Sequence, residues 1–240
     1  MKNFFDLLDF LDKEKNKTAY VCGMGPSLKK YLEKVESTNN VVIACSDVDY
    51  MTGIIPNYWV FANSLSGSAP NMNDRWKNFK DTVIVHAYSV DPTPNSWIEE
   101  NVTSNYIGYD QRHFNDSDCP NCPGGCYNRI PSKKTIQEIL MDKSKHEKMY
   151  SPGSTVALHC LALAILLGCN EIYLFGVDLD YSLGYIDNKT INNDSFSEWM
   201  PGILEDFKII NESAKKIGVN IYNMSETSPL KEIFESRTTL

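Results

Sequence analysis

Residues 153–181 read GSTVALHCLALAILLGCNEIYLFGVDLDY, and this stretch decides the fold. Residues 156–167 form an apolar run rich in Ala and Leu, which predicts a buried helix. Gly168 ends that helix, and the short apolar run at residues 171–175 then predicts a strand. A helix that leads directly into an apolar strand is the repeating unit of a parallel α/β sheet.

The rest of the chain repeats this alternation of strands and helices. Further helices are predicted at residues 27–35 and 205–216, and residues 108–150 are the least regular part, which favours an insertion or lid over the sheet. Repeated β-α-β order predicts a doubly wound, mainly parallel, Rossmann-like sheet within a single domain of residues 1–240. Five further strands are predicted, at Thr18–Cys22, Val41–Cys45, Tyr58–Ala62, Thr82–Val85 and Val219–Tyr222.

Charge and hydropathy exclude several classes of protein. The 240 residues carry a formal net charge of -8, which argues against a general nucleic-acid-binding protein. No apolar run approaches the roughly 20 residues of a membrane span, and the N-terminus lacks the features of a signal peptide. We therefore expect a cytoplasmic protein. Its N-terminal amphipathic helix would pack on the sheet or form a homo-oligomer.

Two glycine turns are the candidate ligand-binding segments. Residues 23–27 (GMGPS) follow the first strand, and their glycines allow the backbone to approach a ligand closely. Each turn leads into a helix N-terminus, whose free N–H groups attract anions. The alternative is a pair of tight turns without a ligand. The residues concerned are Gly23, Gly25, Pro26 and Ser27 in the first turn and Gly153, Ser154 and Thr155 in the second.

Pairs of acidic residues follow two of the predicted strands. Asp47 and Asp49 follow the second strand, and Asp178 and Asp180 follow the strand at residues 171–175. In extended backbone a spacing of two puts both carboxylates on one side. That arrangement suits magnesium or the hydroxyls of a sugar or ribose. The alternative is that these residues cap turns and are solvated.

Cysteines fall into two groups. Four lie in apolar runs and are expected to be reduced and buried, namely Cys22, Cys45, Cys160 and Cys169. Three others form a compact cluster in the irregular region, where a Cys-x2-Cys pair is typical of a zinc knuckle. The cluster predicts a structural zinc site, with His113 or Asp118 as the fourth ligand. The alternatives are an iron–sulfur cluster on the same three thiolates and a loop without metal. The candidate ligands are Cys119, Cys122, Cys126 and His113.

Residues 153–181 and the segment YVCGMGPSLKKYL at residues 20–32 resemble the MptE-like family. That family includes archaeal 6-hydroxymethylpterin diphosphokinases and motility accessory proteins that attach nonulosonic acids to flagellin. The same segments resemble bacterial α-2,3-sialyltransferases that use CMP-sialic acid. The resemblance implies a transferase that takes its group from a nucleotide-activated, CMP-linked acidic sugar. Pyrophosphoryl transfer from ATP and nucleotide binding without catalysis are the alternatives.

The resemblance also implies roles for individual residues. The two glycine turns would contact the nucleotide, Ser46 and Asp47 would contact base, ribose or metal, and Tyr150 would hold the leaving phosphate. The general-base His of the sialyltransferases has no counterpart, because residues 190–205 contain no His. Glu198 is the leading substitute.

Asp178 is a second candidate for the general base. If the chain transfers pyrophosphate instead, magnesium is the implied cofactor, and Asp47, Asp178 or Asp180 would hold it.

Overall fold

A computed structural model of the protein describes residues 7–61, 81–87, 106–109, 155–188 and 195–237. Eight strands lie in this part of the chain. They are β1 (Thr18–Cys22), β2 (Val41–Cys45), β3 (Tyr58–Phe61), β4 (Val83–Ala87), β5 (Tyr106–Tyr109), β6 (Glu171–Phe175), β7 (Asn220–Asn223) and β8 (Glu235–Ser236).

Helices connect the strands. The described α-helices are α1 (Leu32–Glu36), α2 (Val48–Thr52), α3 (Val156–Leu166) and α4 (Ser195–Lys216), and short 3-10 helices cover Leu7–Phe10, Pro26–Tyr31, Tyr181–Leu183 and Pro229–Glu232. None of the helices in the described ranges is long and apolar enough to cross a membrane.

All eight strands belong to one sheet, in the order β5-β4-β3-β2-β1-β6-β7-β8. Every pairing in it is parallel. The chain builds the sheet outward from β1 to β5 and then returns to the other side of β1 with β6. The predicted doubly wound parallel α/β fold is confirmed. The order places a topological switch point between β1 and β6, where such folds bind their ligands.

Helix α3 packs on β1, β2 and β3 and supplies much of the core. The side chains from Leu158 to Leu166 are all buried, as the continuous apolar run predicts. Thr155 begins the helix, because its side-chain oxygen accepts a hydrogen bond from the Leu158 amide. Gly168 follows the helix with a φ of +87°, a left-handed conformation that favours glycine.

Several boundaries differ from the sequence predictions. The helix predicted at residues 27–35 is a 3-10 helix, Pro26–Tyr31, continued by α1, with Pro26 at its first position. Helix α4 begins at Ser195 rather than at residue 205, because Pro201 lies inside the helix and does not end it. Strand β5 was not predicted, and its last two residues overlap the start of the segment predicted to be irregular, the rest of which lies outside the described residues. Strand β8 is too short to leave a periodic pattern.

The cysteines of the apolar runs behave as predicted. Cys22, Cys45, Cys160 and Cys169 are buried free thiols. Burial raises the pKa of the Cys22 thiol and that of the Cys160 thiol. Both side chains therefore stay protonated and act as small apolar residues of the core.

Tyr58 ties the start of β3 to the segment that precedes β1, because its hydroxyl donates to Glu14 Oε1 at 2.9 Å. We expect Tyr58→Phe to lower the free energy of unfolding by about 1 kcal/mol, the usual net value of one hydrogen bond. Urea denaturation measures this change. Tyr20→Phe, which keeps the ring contacts of Tyr20 with Tyr173 and Phe175, is the control and should stay within about 0.5 kcal/mol of the unmodified protein. Equal losses in the two variants would contradict the prediction.

Candidate functional site

The first glycine turn packs against the turn that follows β6. The Gly23 amide donates to the Phe175 carbonyl at 2.7 Å, and the Gly25 amide donates to the Gly176 carbonyl at 2.8 Å. A Cβ atom at Gly23 would lie 2.4 Å from the Gly176 oxygen, so only glycine allows this approach. The glycines thus join the two turns at the switch point. Their contact with a nucleotide stays a prediction.

Asp178 lies at the centre of this junction and is only 3% exposed. Its carboxylate accepts a hydrogen bond from the Ser27 amide at 2.9 Å and another from the Ser27 hydroxyl. A Cβ atom at Gly25 would lie 2.4 Å from Asp178 Oδ2, so glycine at this position makes room for the carboxylate. The negatively charged carboxylate of Asp178 therefore lies at the start of the 3-10 helix Pro26–Tyr31 and accepts a hydrogen bond from one of its free N–H groups.

Asp180 also makes local hydrogen bonds. Its Oδ1 accepts from the Ser182 amide at 3.0 Å and from the Ser182 hydroxyl at 2.5 Å, which caps the helix Tyr181–Leu183. Across the described ranges, no group of three or more His, Cys, Asp or Glu side chains is arranged to hold a metal ion. Magnesium binding by Asp180 and proton transfer by Asp178 stay predictions.

The end of β2 presents Ser46 and Asp47 to the same edge of the sheet, and both are partly exposed. Ser46 has a φ of +48°, which is rare for a residue other than glycine, Asn or Asp. Asp47 begins α2, but its side chain does not cap that helix. Both residues therefore lie where the sequence placed them, at the carboxyl end of the second strand.

Two tyrosines that the sequence analysis did not single out lie close to this point. Burial raises the pKa of Tyr181, with smaller contributions from Tyr185 and Cys45. Burial also raises the pKa of Tyr185, and Cys45, Asp47 and Asp187 add to that rise. The segment after β6 therefore extends past β1 to the end of β2.

A backbone hydrogen bond holds this segment in place, because the Ile186 amide donates to the Met24 carbonyl at 2.8 Å. The segment that carries both tyrosines is therefore bonded to the first glycine turn. The available signal was the presence of two tyrosines within ten residues of the end of β6, in the motif GVDLDYSLGY, where the sequence analysis considered only the acidic pair.

The N-terminus of α3 lies at the same edge. Helix α3 leads directly into β6 and runs opposite to the strands, so Thr155 is placed at their carboxyl ends. The electrostatic interactions of Cys160 with Cys45 and Cys22, the last residues of β2 and β1, agree with this placement. The switch point, the end of β2 and the start of α3 therefore share one edge of the sheet.

The remaining predicted site residues lie outside the described part of the chain. Glu198 lies in the first turns of α4, but its side chain is not among those described. The others are Tyr150, Gly153 and Ser154 of the second turn region, and His113, Cys119, Cys122 and Cys126 of the predicted zinc site.

The described groups suit a ligand that carries both negative charge and hydroxyls. Tyr181 and Tyr185 each carry a phenol O–H, which is protonated near neutral pH and can act as a hydrogen-bond donor. Thr155 marks a helix N-terminus, which attracts anions. Asp47 adds an acceptor for hydroxyl groups at the same edge.

A family model described as "6-hydroxymethylpterin diphosphokinase MptE-like" matches residues 1–184 of the 240 in the chain. This chain belongs to the MptE-like family. No curated protein sequence matches it. The match covers β1 to β6 and the 3-10 helix that holds Tyr181, and it ends one residue before Tyr185.

Solved structures show what this MptE-like protein is similar to in fold. One is the sialyltransferase CST-II in complex with a trisaccharide acceptor and CMP, at a TM-score of 0.52 and 16% identity, covering 92% of this chain and 86% of that one. Another is the sialyltransferase CstII from Campylobacter jejuni in complex with the substrate analogue CMP-3FNeuAc. Its TM-score is 0.49 and its identity 18%, and the alignment covers 92% of this chain and 86% of that one. A third is the monofunctional α-2,3-sialyltransferase Cst-I from Campylobacter jejuni. Its TM-score is 0.48 and its identity 18%, and the alignment covers 92% of this chain and 80% of that one.

Proposed function

We propose that this MptE-like protein is a glycosyltransferase that uses a nucleotide-activated sugar, specifically a CMP-linked acidic sugar. The observation that carries the proposal is the arrangement at the switch point, where the segment with Tyr181 and Tyr185 is hydrogen-bonded to the first glycine turn through Ile186 and Met24, at the edge where an α/β sheet binds its ligand. The similar fold of a sialyltransferase described with CMP and a trisaccharide acceptor supports the choice of nucleotide.

In this reaction the bond between the sugar's anomeric carbon and a phosphate oxygen breaks, and the electron pair stays on the phosphate. Negative charge therefore grows on the leaving phosphate, and preorganised donors stabilise it most strongly in the transition state. We assign this role to the hydroxyls of Tyr181 and Tyr185, with the start of α3 at Thr155 as a further source of positive potential.

The acceptor hydroxyl forms the new bond to the anomeric carbon, and its proton passes to a general base. Glu198 is our candidate for the base, because it is an acidic residue in the first turns of α4. Asp178 is better suited to a positioning role, since its carboxylate already accepts two hydrogen bonds from Ser27.

Ligand-dependent thermal stability and CMP release test the proposal. With CMP at about ten times its dissociation constant, we expect about 1.4 kcal/mol of stabilisation, a rise in Tm of roughly 3–6 °C. CMP-sialic acid should release CMP slowly in the presence of the protein, with water as the acceptor. Absence of both a CMP shift and CMP release would reject the proposal.

The second candidate is pyrophosphoryl transfer from ATP to a pterin, and the description of the family model favours it. This activity would require a magnesium-dependent thermal shift with ATP and formation of AMP when 6-hydroxymethylpterin is present. The described residues do not form a carboxylate cluster for the metal. A shift with ATP and magnesium, without one for CMP, would favour this candidate over the glycosyltransferase.

Zinc binding by Cys119, Cys122, Cys126 and His113 is a separate proposal. Plasma mass spectrometry of the purified protein should find about one zinc ion per chain, as expected for a closed structural site. Cys122→Ser removes one thiolate of the Cys-x2-Cys pair and should abolish the zinc. Cys160→Ser, which alters a buried thiol of the sheet core, is the control and should retain it. An unmodified protein free of zinc when purified without chelators would reject the site.

A further inference from the structure

Ser46 has an unusual backbone that residues of β3 hold in place. Its φ of +48° lies in the left-handed region, which costs a residue with a side chain of this kind about 1 kcal/mol or more. Its amide donates to the Val60 carbonyl at 2.8 Å, and its carbonyl accepts from the indole Nε1 of Trp59 at 2.5 Å. Both backbone groups of Ser46 thus bind protein, and the residue as a whole is partly exposed at the carboxyl end of β2.

Trp59 is well anchored for this contact. Its side chain is 1% exposed, and its ring packs on Phe61, which stacks in turn on His86. The indole N–H can only donate, so a buried indole in this position requires an acceptor. The Ser46 carbonyl is that acceptor, and turning the peptide between Ser46 and Asp47 would leave the indole N–H unsatisfied at a substantial cost.

The fixed peptide sets the backbone direction at Asp47. Asp47 begins α2 without capping it, and its charge contributes to the raised pKa of Tyr185, so the carboxylate lies on the side of the candidate site. A carboxylate at the end of the second strand, beside a glycine turn after the first, is well placed to accept hydrogen bonds from ribose hydroxyls.

We propose that Trp59 is a positioning residue for nucleotide recognition: its indole N–H holds the Ser46–Asp47 peptide so that the Ser46 hydroxyl and the Asp47 carboxylate bind the ribose hydroxyls. The proposal rests on the proposed function, since it takes the ligand to be a ribonucleotide. It adds a specificity: the site selects CMP over 2′-deoxy-CMP. The Trp59 ring itself does not touch the ligand.

Calorimetric titration of CMP and 2′-deoxy-CMP tests the assignment. The unmodified protein should bind CMP at least about tenfold more tightly, in line with one or two hydrogen bonds to a charged group. Trp59→Phe keeps an aromatic ring and removes the N–H, so CMP binding should weaken about tenfold, and binding of 2′-deoxy-CMP, which has only the 3′-hydroxyl to lose, should weaken by no more than about threefold. If Trp59→Phe does not fold, β-(3-benzothienyl)alanine at this position keeps the bicyclic ring and removes only the N–H.

Two further variants separate positioning from stability. Tyr58→Phe, on the same strand, removes a hydrogen bond to Glu14 and should lower stability without changing the preference for CMP. Ser46→Gly should keep the stability of the protein and reduce its preference for CMP, because glycine tolerates the left-handed backbone while the hydroxyl is lost.

The outcomes separate the two proposals. If the unmodified protein does not bind CMP, the proposed function fails. If it binds CMP and 2′-deoxy-CMP equally, the ribose assignment fails alone. If Trp59→Phe weakens both ligands equally, or leaves the preference unchanged, Trp59 has a structural role and the positioning assignment fails.

Discussion

Asp178→Ala is expected to lower the free energy of unfolding by about 2–3 kcal/mol and to abolish stabilisation by CMP. The alanine removes both hydrogen bonds that the buried carboxylate accepts from Ser27. Hydrogen bonds to charged groups contribute about 1.5–3 kcal/mol each. The alanine also removes the desolvation cost of the buried carboxylate, which offsets part of that loss. The 3-10 helix Pro26–Tyr31 would lose the carboxylate at its start, and the turns after β1 and β6 would lose the hydrogen bonds between Ser27 and Asp178. Thermal denaturation should show a fall in Tm of roughly 4–12 °C.

Asp178→Asn distinguishes positioning from chemistry. The asparagine oxygen can accept from the Ser27 amide, and its NH2 group can donate to the Ser27 hydroxyl, which then serves as an acceptor. We therefore expect this variant to stay within about 1 kcal/mol of the unmodified protein and to keep CMP binding. Asp12→Asn removes the same charge from an exposed residue at the opposite edge of the sheet and is the control.

The opposite result would identify a direct chemical role. If Asp178→Asn retains its Tm and its affinity for CMP but loses CMP release by more than about a hundredfold, the carboxylate acts as a general base or a metal ligand. The positioning assignment would then be wrong, and the role that the sequence suggested would stand.

The local elements could be predicted because their signals are local. Strands β1 and β2 were located to the residue, since each is a short apolar run with a turn signal directly after it. The start of α3 at Thr155 follows from the same reasoning, because a hydroxyl residue before an apolar run is a natural cap. Strand β8 escaped detection because a parallel pairing of two residues depends on β7 and not on its own sequence.

Contacts within the site could not be predicted in the same way. Ser27 and Asp178 are 151 positions apart, and nothing in either segment shows that one would cap the other. The glycines of the first turn were selected for close approach to a ligand, and the structure shows that their Cβ directions face the turn after β6, while contact with a nucleotide stays a prediction. The indole contact to Ser46 likewise depends on the register of β2 and β3. Sequence patterns place residues at the edge of a sheet. Tertiary packing then decides which of these residues contact other parts of the protein and which remain available to a ligand.

Tyr181→Phe and Tyr185→Phe should each slow CMP release from CMP-sialic acid by about a hundredfold, while the affinity for CMP changes only a few-fold. Each substitution removes one O–H donor to the leaving phosphate, and such donors matter most when charge develops in the transition state. The combined variant should lose less than the product of the two effects, because both hydroxyls serve the same phosphate. Initial rates of CMP release measure these changes.

Tyr222→Phe is the matched control. Burial raises the pKa of Tyr222 as well, but its hydroxyl lies near Glu171 at the opposite edge of the sheet. Its removal should leave the rate of CMP release unchanged. A loss as large as that of Tyr181→Phe would mean that hydroxyl removal acts through general destabilisation, and the donor assignment would fail.

The pH dependence gives an independent test of the same donors. An exposed tyrosine ionises near pH 10, and burial moves the pKa values of Tyr181 and Tyr185 above that value. Because the protonated phenol is the donor, the hydroxyls remain competent as pH rises from neutrality through about 10. The alkaline side of the rate profile should therefore stay flat to that point. A decline near pH 8 that disappears in Tyr181→Phe would show that this phenol ionises early, and the environment assigned to it would be wrong.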